Sequence, residues 1–177
     1  FRLIRGNLDR MTLQIDTFKR LSSVNHDSGG AVIALSKFID EELPALAHGC
    51  APDLEFRARW DQNGNPPIRY ADLALIFAQL FENVREHAQA RTVTASFRVH
   101  EGSLDVIFED DGVGMPDELL AKAAEPFFTT ARGKGHMGLG ISIVASLIAN
   151  KLQGSIRFSH GNPGLRISMN IPLKSLA

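Results

Sequence analysis

The sequence has only one cysteine, Cys50, among its 177 residues. A single thiol can form neither an internal disulfide nor a zinc site made of several cysteines, so a reducing, cytoplasmic setting is expected. No apolar run reaches the length of about 18 residues that a membrane-spanning helix needs, so we expect no membrane contact by this chain. The first residue is Phe1 rather than Met, which predicts a longer parent protein, and a membrane anchor in that parent is compatible with the sequence.

The sequence also lacks an excess of charge of either sign, because 19 basic and 20 acidic residues leave a net charge of -1. This balance argues against a general nucleic-acid-binding protein, although it is compatible with a local basic patch. The remaining composition, 44% hydrophobic and 22% charged, is that of an ordinary globular protein.

The first 24 residues predict one helix with a narrow apolar face. Its apolar residues follow a spacing of four, three, four and three, as in the a and d positions of a heptad: Ile4, Leu8, Met11, Ile15 and Phe18. This spacing favours a helix of a helical bundle over one that packs back onto its own domain. Residues 25–30 are rich in polar residues and glycine, which predicts a linker.

Residues 31–177 predict a single α+β domain. We expect helices over residues 31–47, 72–89, 117–124 and 139–152, with Asp72 as an N-cap and a kink or break at Pro44. Alternating segments predict strands over residues 54–60, 92–99, 104–109, 155–159 and 165–171. The expected fold is a two-layer α/β sandwich, in which helices cover one face of a mixed, mostly antiparallel sheet and a single bundle helix precedes it.

Two polar segments of this domain suggest a ligand site. Gln79, Asn83 and His87 recur every four residues, so they share one face of a predicted helix. Asp110, Gly112 and Gly114 directly follow an apolar strand, where glycine lets the backbone approach a ligand and a carboxylate can accept a hydrogen bond from an amino group.

Two further segments follow along the chain. Phe127 and Phe128 form an aromatic pair in a segment without clear secondary structure. Residues 133–140 are rich in glycine and run into an apolar helix, an arrangement that can hold phosphate at a helix N-terminus. They lack the Gly-Lys-Ser/Thr ending of a P-loop, which disfavours that class of site.

Taken in this order, the four segments resemble the catalytic domain of sensor histidine kinases, which shares a nucleotide-binding superfamily with DNA gyrase, the dimeric heat-shock chaperone and mismatch-repair ATPases. The resemblance implies that ATP and Mg²⁺ are cofactors, that Asn83 is the catalytic ligand of Mg²⁺, and that Asp110 binds the adenine amino group. It implies further ATP contacts by His87, Gly112, Gly114, Phe127, Phe128, Thr130, Arg132, Lys134, Gly135, Met137, Gly138, Leu139 and Gly140.

Three positions depart from the pattern of that family, namely Glu86, Ala131 and His136, and Gln79 separates the branches of its superfamily. Glu86 stands where a lysine that reaches phosphate is common, so this contact is expected to be lost or supplied by Arg85. Gln79 stands where the chaperone and topoisomerase ATPases carry a glutamate that activates water, and glutamine cannot accept that proton. The resemblance therefore implies phosphoryl transfer rather than ATP hydrolysis.

The implied enzyme is an ATP-dependent protein histidine kinase that phosphorylates a histidine outside this chain, for relay to an aspartate of a response regulator. An acceptor histidine of that family sits on a helix and is usually followed at once by an acidic residue and soon by an arginine or asparagine before proline. None of the six histidines here has that setting: His26, His48, His87, His100, His136 and His160. The first helix resembles the second helix of the dimerisation domain of such kinases, which implies a homodimer. The alternatives are a serine kinase of the anti-sigma-factor type and a degenerate domain that only docks a partner.

Overall fold

The computed structural model describes residues 31–120, 122–123 and 140–177. The predicted bundle helix (residues 1–24) and linker (residues 25–30) lie outside the described residues. Nine of the candidate site residues also lie outside them: Phe127, Phe128, Thr130, Arg132, Lys134, Gly135, Met137, Gly138 and Leu139.

Within the described residues, seven strands form two sheets, one small and one large. Strands β1 (Val32–Ala34) and β3 (Pro67–Arg69) pair antiparallel in the small sheet. The large sheet contains β2 (Glu55–Trp60), β4 (Thr92–His100), β5 (Ser103–Asp110), β6 (Ser155–His160) and β7 (Leu165–Pro172), in the order β2-β4-β5-β7-β6. Only the pairing of β2 with β4 is parallel, which confirms the mixed, mostly antiparallel sheet.

The helices contain wide π turns within the described residues. Helix α1 consists of Leu35–Lys37, a π segment Phe38–Glu42 and Leu43–Cys50, and α2 runs over Tyr70–Asn83 with a π turn Val84–Ala88 at its end. Helix α3 is Asp117–Leu120, α4 is Gly140–Ser146 continued by a π turn Leu147–Lys151, and a 3₁₀ turn covers Leu173–Ser175. No helix of the described part is long and apolar enough to cross a membrane.

Helix α2 packs on the large sheet through aromatic side chains. The ring of Phe77 lies 5.7 Å from that of Phe97 on β4, and the ring of Phe81 lies 5.7 Å from that of Phe108 on β5. Phe38 of α1 contacts Phe77 from the side, with ring centroids 5.8 Å apart, and α4 packs against α2. This layer of helices on one face of the sheet confirms the predicted sandwich.

The prediction for residues 31–34 is wrong, because they form strand β1 rather than the first turn of a helix. Val32 and Ile33 are β-branched and pair with Arg69 and Ile68 of β3, a strand that the turn composition of residues 63–67 concealed. The helix begins only at Leu35, whose N–H donates to the carbonyl of Pro66 at 3.0 Å.

Two local predictions about helix ends also need correction. Asp72 does not cap α2, which begins at Tyr70, so Asp72 lies in the first turn and its carboxylate contacts Lys151 and Arg69 instead. Pro44 does not break α1, because the π segment Phe38–Glu42 comes just before it and the helix continues to Cys50. Pro44 lies at the start of the segment Leu43–Cys50, in a first turn, where the missing N–H of proline is tolerated.

Candidate functional site

Asp110 occupies the last inward position of strand β5. The inward row of this strand consists of Leu104, Val106, Phe108 and Asp110, all of which are buried against the helices. Because side chains alternate between the faces of a strand, a carboxylate stands here where the pattern favours an apolar side chain. Asp110 is only 5% exposed.

The contacts of Asp110 leave one carboxylate oxygen open. Its Oδ1 atom accepts the N–H of Gly112 at 2.9 Å and the N–H of Leu165 at 3.4 Å. Among the described residues, no group donates to Oδ2 and no basic side chain pairs with the carboxylate. Burial raises the pKa of Asp110, and the two N–H donors oppose that increase only in part. A carboxylate oxygen without a protein partner, on a side chain that is otherwise mostly buried, is suited to accept a hydrogen bond from a ligand.

The loop after Asp110 contacts the end of helix α2. Val113 N–H donates to the carbonyl of Ala88 at 2.8 Å, and a Cβ added to Gly112 would lie 2.2 Å from that same oxygen. No side chain other than that of glycine fits at position 112, so the loop lies directly on the α2 backbone.

The next carboxylate, Asp111, has a structural part in this loop. Its Oδ1 atom accepts the N–H groups of Arg91 and Thr92 at 2.8 and 2.9 Å. These bonds, led by that of Thr92, lower the pKa of Asp111, and its side chain is exposed. Adjacent aspartates therefore differ, since Asp111 fastens the loop to the start of β4 while Asp110 faces inward.

Asn83 is the last residue of the α-helical part of α2, where its side chain is half-buried. Its amide makes no hydrogen bond within the part of the chain that the structure describes. The π turn that follows widens the helix, so the four-residue spacing that relates Gln79 to Asn83 does not extend unchanged to His87. His87 lies in this turn, with Nε2 3.9 Å from Oε2 of Glu86.

Gln79 lies one turn before Asn83 and is only 7% exposed. Its Oε1 atom is buried without a hydrogen-bond partner in the described part of the chain. Helix α4 begins beside it, because a Cβ added to Gly140 would lie 3.3 Å from this oxygen. The sequence placed Gln79 on a polar helix face and marked it against hydrolysis, but it did not predict a buried amide oxygen without a partner.

Arg85 is directed towards helix α1. Its guanidinium donates to the carbonyl of Cys50 at 2.9 Å and lies 3.6 Å from a carboxylate oxygen of Glu86. A phosphate contact by Arg85 is one of the two outcomes expected from the sequence, and it stays a prediction.

The structure thus brings five of the predicted site residues to one end of α2 and the sheet. The loop that contacts the end of α2 contains or adjoins Asp110, Gly112 and Gly114. Asn83 lies on α2, and Gly140 begins helix α4 next to α2. Their roles, including those of His87 and of the nine residues outside the described ranges, stay predictions.

The sequence did not reveal that the turn between β6 and β7 contacts Asp110. Leu165 donates its N–H to Asp110, and a Cβ on Gly164 would lie 1.9 Å from the main-chain oxygen of Asp110. The only signal in the sequence is a pair of glycines, Gly161 and Gly164, immediately before an alternating strand.

Comparison with protein families gives a match over residues 69–175, to the family described as histidine kinase-, DNA gyrase B-, and HSP90-like ATPase. The chain is 34% identical over 104 residues to sporulation kinase A of Bacillus subtilis, and 32% identical over 114 residues to the two-component sensor PprA of Pseudomonas aeruginosa. These alignments cover 58% and 59% of this chain but only 17% and 12% of the relatives, so the chain spans less than a fifth of their length.

Solved structures share the fold. The catalytic domain of histidine kinase ThkA, in a nucleotide-free form, superposes with a TM-score of 0.68 at 21% identity, covering 82% of this chain and 98% of that domain. A mycobacterial sensor histidine kinase, MprB, superposes with a TM-score of 0.63 at 20% identity, covering 81% of this chain and 97% of that one.

Proposed function

Because this chain belongs to the family of histidine kinase-, DNA gyrase B- and HSP90-like ATPases, we propose that it is the ATP-binding catalytic domain of a sensor histidine kinase. In this proposal the γ-phosphoryl group of ATP passes to a histidine on a dimerisation helix, leaving ADP. From that histidine it passes to an aspartate of a response regulator. Residues 1–24 would contribute the second helix of the dimerisation bundle, residues 25–30 the linker, and residues 31–177 the catalytic domain of a cytoplasmic kinase.

The state of Asp110 is the observation that supports nucleotide binding most directly. A buried carboxylate with one oxygen held by backbone N–H groups and the other open can accept a hydrogen bond from the 6-amino group of adenine. Gly112 and Gly114 hold the loop close beside this carboxylate, because a Cβ on Gly112 would meet the carbonyl of Ala88 and a Cβ on Gly114 would meet that of Gly164. A 6-oxo purine such as guanine offers an acceptor at that position and would face the carboxylate unfavourably.

Asn83 fits the role of a Mg²⁺ ligand. Its half-buried amide has no partner among the described residues, and amide oxygen suits this hard cation. The described residues contain no group of three or more His, Cys, Asp or Glu side chains that could hold a metal by themselves. Mg²⁺ would therefore take its other ligands from phosphate oxygens and water, and its charge would stabilise the transferring phosphoryl group.

The phosphates would lie towards helix α4. Gly140 begins this helix beside α2, and the N–H groups at a helix N-terminus favour an anion. In the proposal, this end of the site is lined by Gly135, Met137, Gly138 and Leu139. Phosphate is contacted by Thr130, Arg132 and Lys134. The segment that closes over the nucleotide carries Phe127 and Phe128.

Labelling of the complete parent kinase with γ-labelled ATP and Mg²⁺ tests the proposal. We expect acid-labile, base-stable label on a histidine outside the present 177 residues. Asn83→Ala should abolish this labelling and the dependence of ATP binding on Mg²⁺ while the circular dichroism spectrum stays unchanged.

Asn150→Ala is the matched control, since Asn150 is exposed at the far end of α4 and donates only to Ser146. It should leave labelling at the wild-type level. Wild-type labelling in Asn83→Ala would remove Asn83 from the metal role, and label on one of the six histidines of this chain would contradict the assignment of the acceptor.

A further inference from the structure

We propose that Gly164 and the Leu165 N–H, at the turn between β6 and β7, position the Asp110 carboxylate and thereby set the selectivity of the site for the 6-amino group of adenine. This inference rests on the proposed function, because it assigns a task to residues that act through the nucleotide-binding carboxylate. Gly164 and Leu165 are positioning residues, and neither is required to touch the nucleotide.

The first argument is the close approach of the turn to Asp110. A Cβ on Gly164 would lie 1.9 Å from the main-chain oxygen of Asp110 and 2.8 Å from its Oδ1 atom. Gly164 also has a φ of +91°, in the left-handed region that side chains with a Cβ rarely adopt. Glycine is thus required at this position both by space and by backbone conformation.

The second argument is the direction in which the carboxylate is held. The N–H of Leu165, on the neighbouring strand β7, and the N–H of Gly112, in the loop after β5, both reach Oδ1. With both donors on one oxygen, rotation of the side chain is restricted and Oδ2 is left for a ligand. The turn therefore selects which oxygen is free.

The third argument is that the turn is itself well defined and contacts the next part of the loop. Gly161 N–H donates to the carbonyl of Gly164 at 2.8 Å, which closes the turn. That same carbonyl oxygen lies 3.0 Å from where a Cβ on Gly114 would be. The turn thus contacts the candidate base-binding loop at Asp110 and again at Gly114.

The test compares binding of ATP with binding of purine riboside 5′-triphosphate, which lacks the 6-amino group, to the 177-residue chain. Wild type should bind ATP about tenfold more tightly, the usual effect of one hydrogen bond to a charged group. Gly164→Ala should weaken ATP about tenfold and the purine analogue much less, so that the ratio of the two dissociation constants approaches one.

Gly102→Ala is the matched control. Gly102 has a φ of +77°, and a Cβ there meets no atom within 4 Å among the described residues. This variant carries the same kind of backbone strain at the other end of β5, and it should keep the wild-type ratio. A Gly164→Ala protein that loses affinity for both nucleotides equally, or keeps the ratio, would overturn the inference.

A second variant decides the question if Gly164→Ala does not fold. Replacing Leu165 with its α-hydroxy acid analogue turns one amide into an ester, which removes the N–H that reaches Asp110 and also makes the Gly164 carbonyl a weaker acceptor for the N–H of Gly161. The ratio should fall about two- to tenfold. The same ester at Leu173, whose N–H donates to Gly102 at 2.8 Å, should not change it.

The two proposals fail in different ways. A wild-type protein that does not distinguish ATP from the purine analogue contradicts the adenine role of Asp110, and with it this inference. A wild-type protein that distinguishes them, together with an unchanged ratio in the Leu165 ester, contradicts only the positioning role of the turn.

Discussion

Asp72 and Asp110 are both almost completely buried, at 4% and 5% exposure, but their surroundings differ. Asp72 joins two elements through charge, since its carboxylate lies 2.5 Å from Nζ of Lys151 and 3.5 Å from the guanidinium of Arg69. Asp110 has two backbone N–H donors on one oxygen and no cation among the described residues. A carboxylate whose partners are complete contributes to the fold, whereas an incomplete set leaves room for a ligand.

The difference also follows from position. Asp72 lies in the first turn of α2 and ties it to the last turn of α4, far along α2 from Asn83. Asp110 ends a strand beside the opposite end of that helix. The same helix therefore has a structural carboxylate at its start and a candidate ligand-binding carboxylate beside its end.

Substitution at Asp110 should have the largest effect, and this effect should be on nucleotide affinity. In Asp110→Asn, the N–H groups of Gly112 and Leu165 still require an acceptor, so the amide oxygen should replace Oδ1 and the amide NH₂ should face the ligand. Affinity for ATP should fall by about 1.5–3 kcal/mol, because the side-chain NH₂ and the 6-amino group of adenine are both hydrogen-bond donors. Titration calorimetry with ATP and with GTP measures this, and an equal loss for both nucleotides would show that Asp110 does not select the base.

Substitution at Asp72 should give the complementary result. Asp72→Asn should lower the free energy of unfolding by about 1–2 kcal/mol, less than for a fully buried pair because the side chains of Lys151 and Arg69 are 51% and 34% exposed. The preference for ATP over GTP should not change. Urea unfolding and nucleotide titration of the same protein provide the two readouts, and an altered preference would contradict a purely structural role.

Gln79 extends the comparison to a buried amide, because its Oε1 atom has no hydrogen-bond partner among the described residues. An unpaired buried polar group costs about 1–3 kcal/mol, so Gln79→Met should raise the free energy of unfolding by about 1 kcal/mol at nearly constant side-chain length. The same substitution should reduce phosphoryl transfer in the parent kinase if the site uses this oxygen.

Gln62→Met provides the control for Gln79→Met, since Gln62 is exposed. It should change the free energy of unfolding by less than about 0.5 kcal/mol. A Gln79→Met protein that is less stable than wild type would mean that the amide has a structural partner, and the comparison with Asp110 would then not extend to Gln79.

Most of the large sheet could be predicted because its strands alternate clearly. Residues 92–99 and 104–109 were expected as a hairpin; β4 is longer by one residue at its end, and β5 is longer by one residue at both ends. Strand β1 was missed because Val32 continues the helical spacing of the apolar residues after it. Its partner β3 was missed because Pro67 lies in a segment of turn residues.

The candidate site was predictable where a motif is continuous in the sequence and not where it depends on distant contacts. Asp110, Gly112 and Gly114 form one short string, which the resemblance could identify. The support of Asp110 by Leu165 comes from a residue 55 positions later, and no local pattern relates the two. Asp72 pairs with Lys151, which lies 79 positions later in the chain. The sequence predicted only a local role for Asp72, as the N-cap of the helix.

The smallest expected effect is a dependence on pH that has opposite signs for Asp110 and its neighbour Asp111. Burial raises the pKa of Asp110, so the folded protein binds its proton more readily than the unfolded chain. Stability from this group is therefore greatest below its unfolded pKa and decreases as the pH rises through the folded pKa. Hydrogen bonds lower the pKa of Asp111, so its stabilising effect is present above the unfolded pKa and is lost as the pH falls through the folded pKa.

Nucleotide affinity separates the two groups further, because only ionised Asp110 offers two acceptor oxygens. As the pH falls through the raised pKa of Asp110, the carboxyl becomes protonated and affinity for ATP should begin to decrease at a higher pH than an exposed aspartate would give. Titration calorimetry over a mildly acidic range should show this decrease in wild type and in Asp111→Asn, whereas Asp110→Asn should give a lower and flatter profile. If all three proteins lose affinity in parallel, the titrating group is elsewhere, for example on the phosphates of ATP, and Asp110 does not carry the dependence.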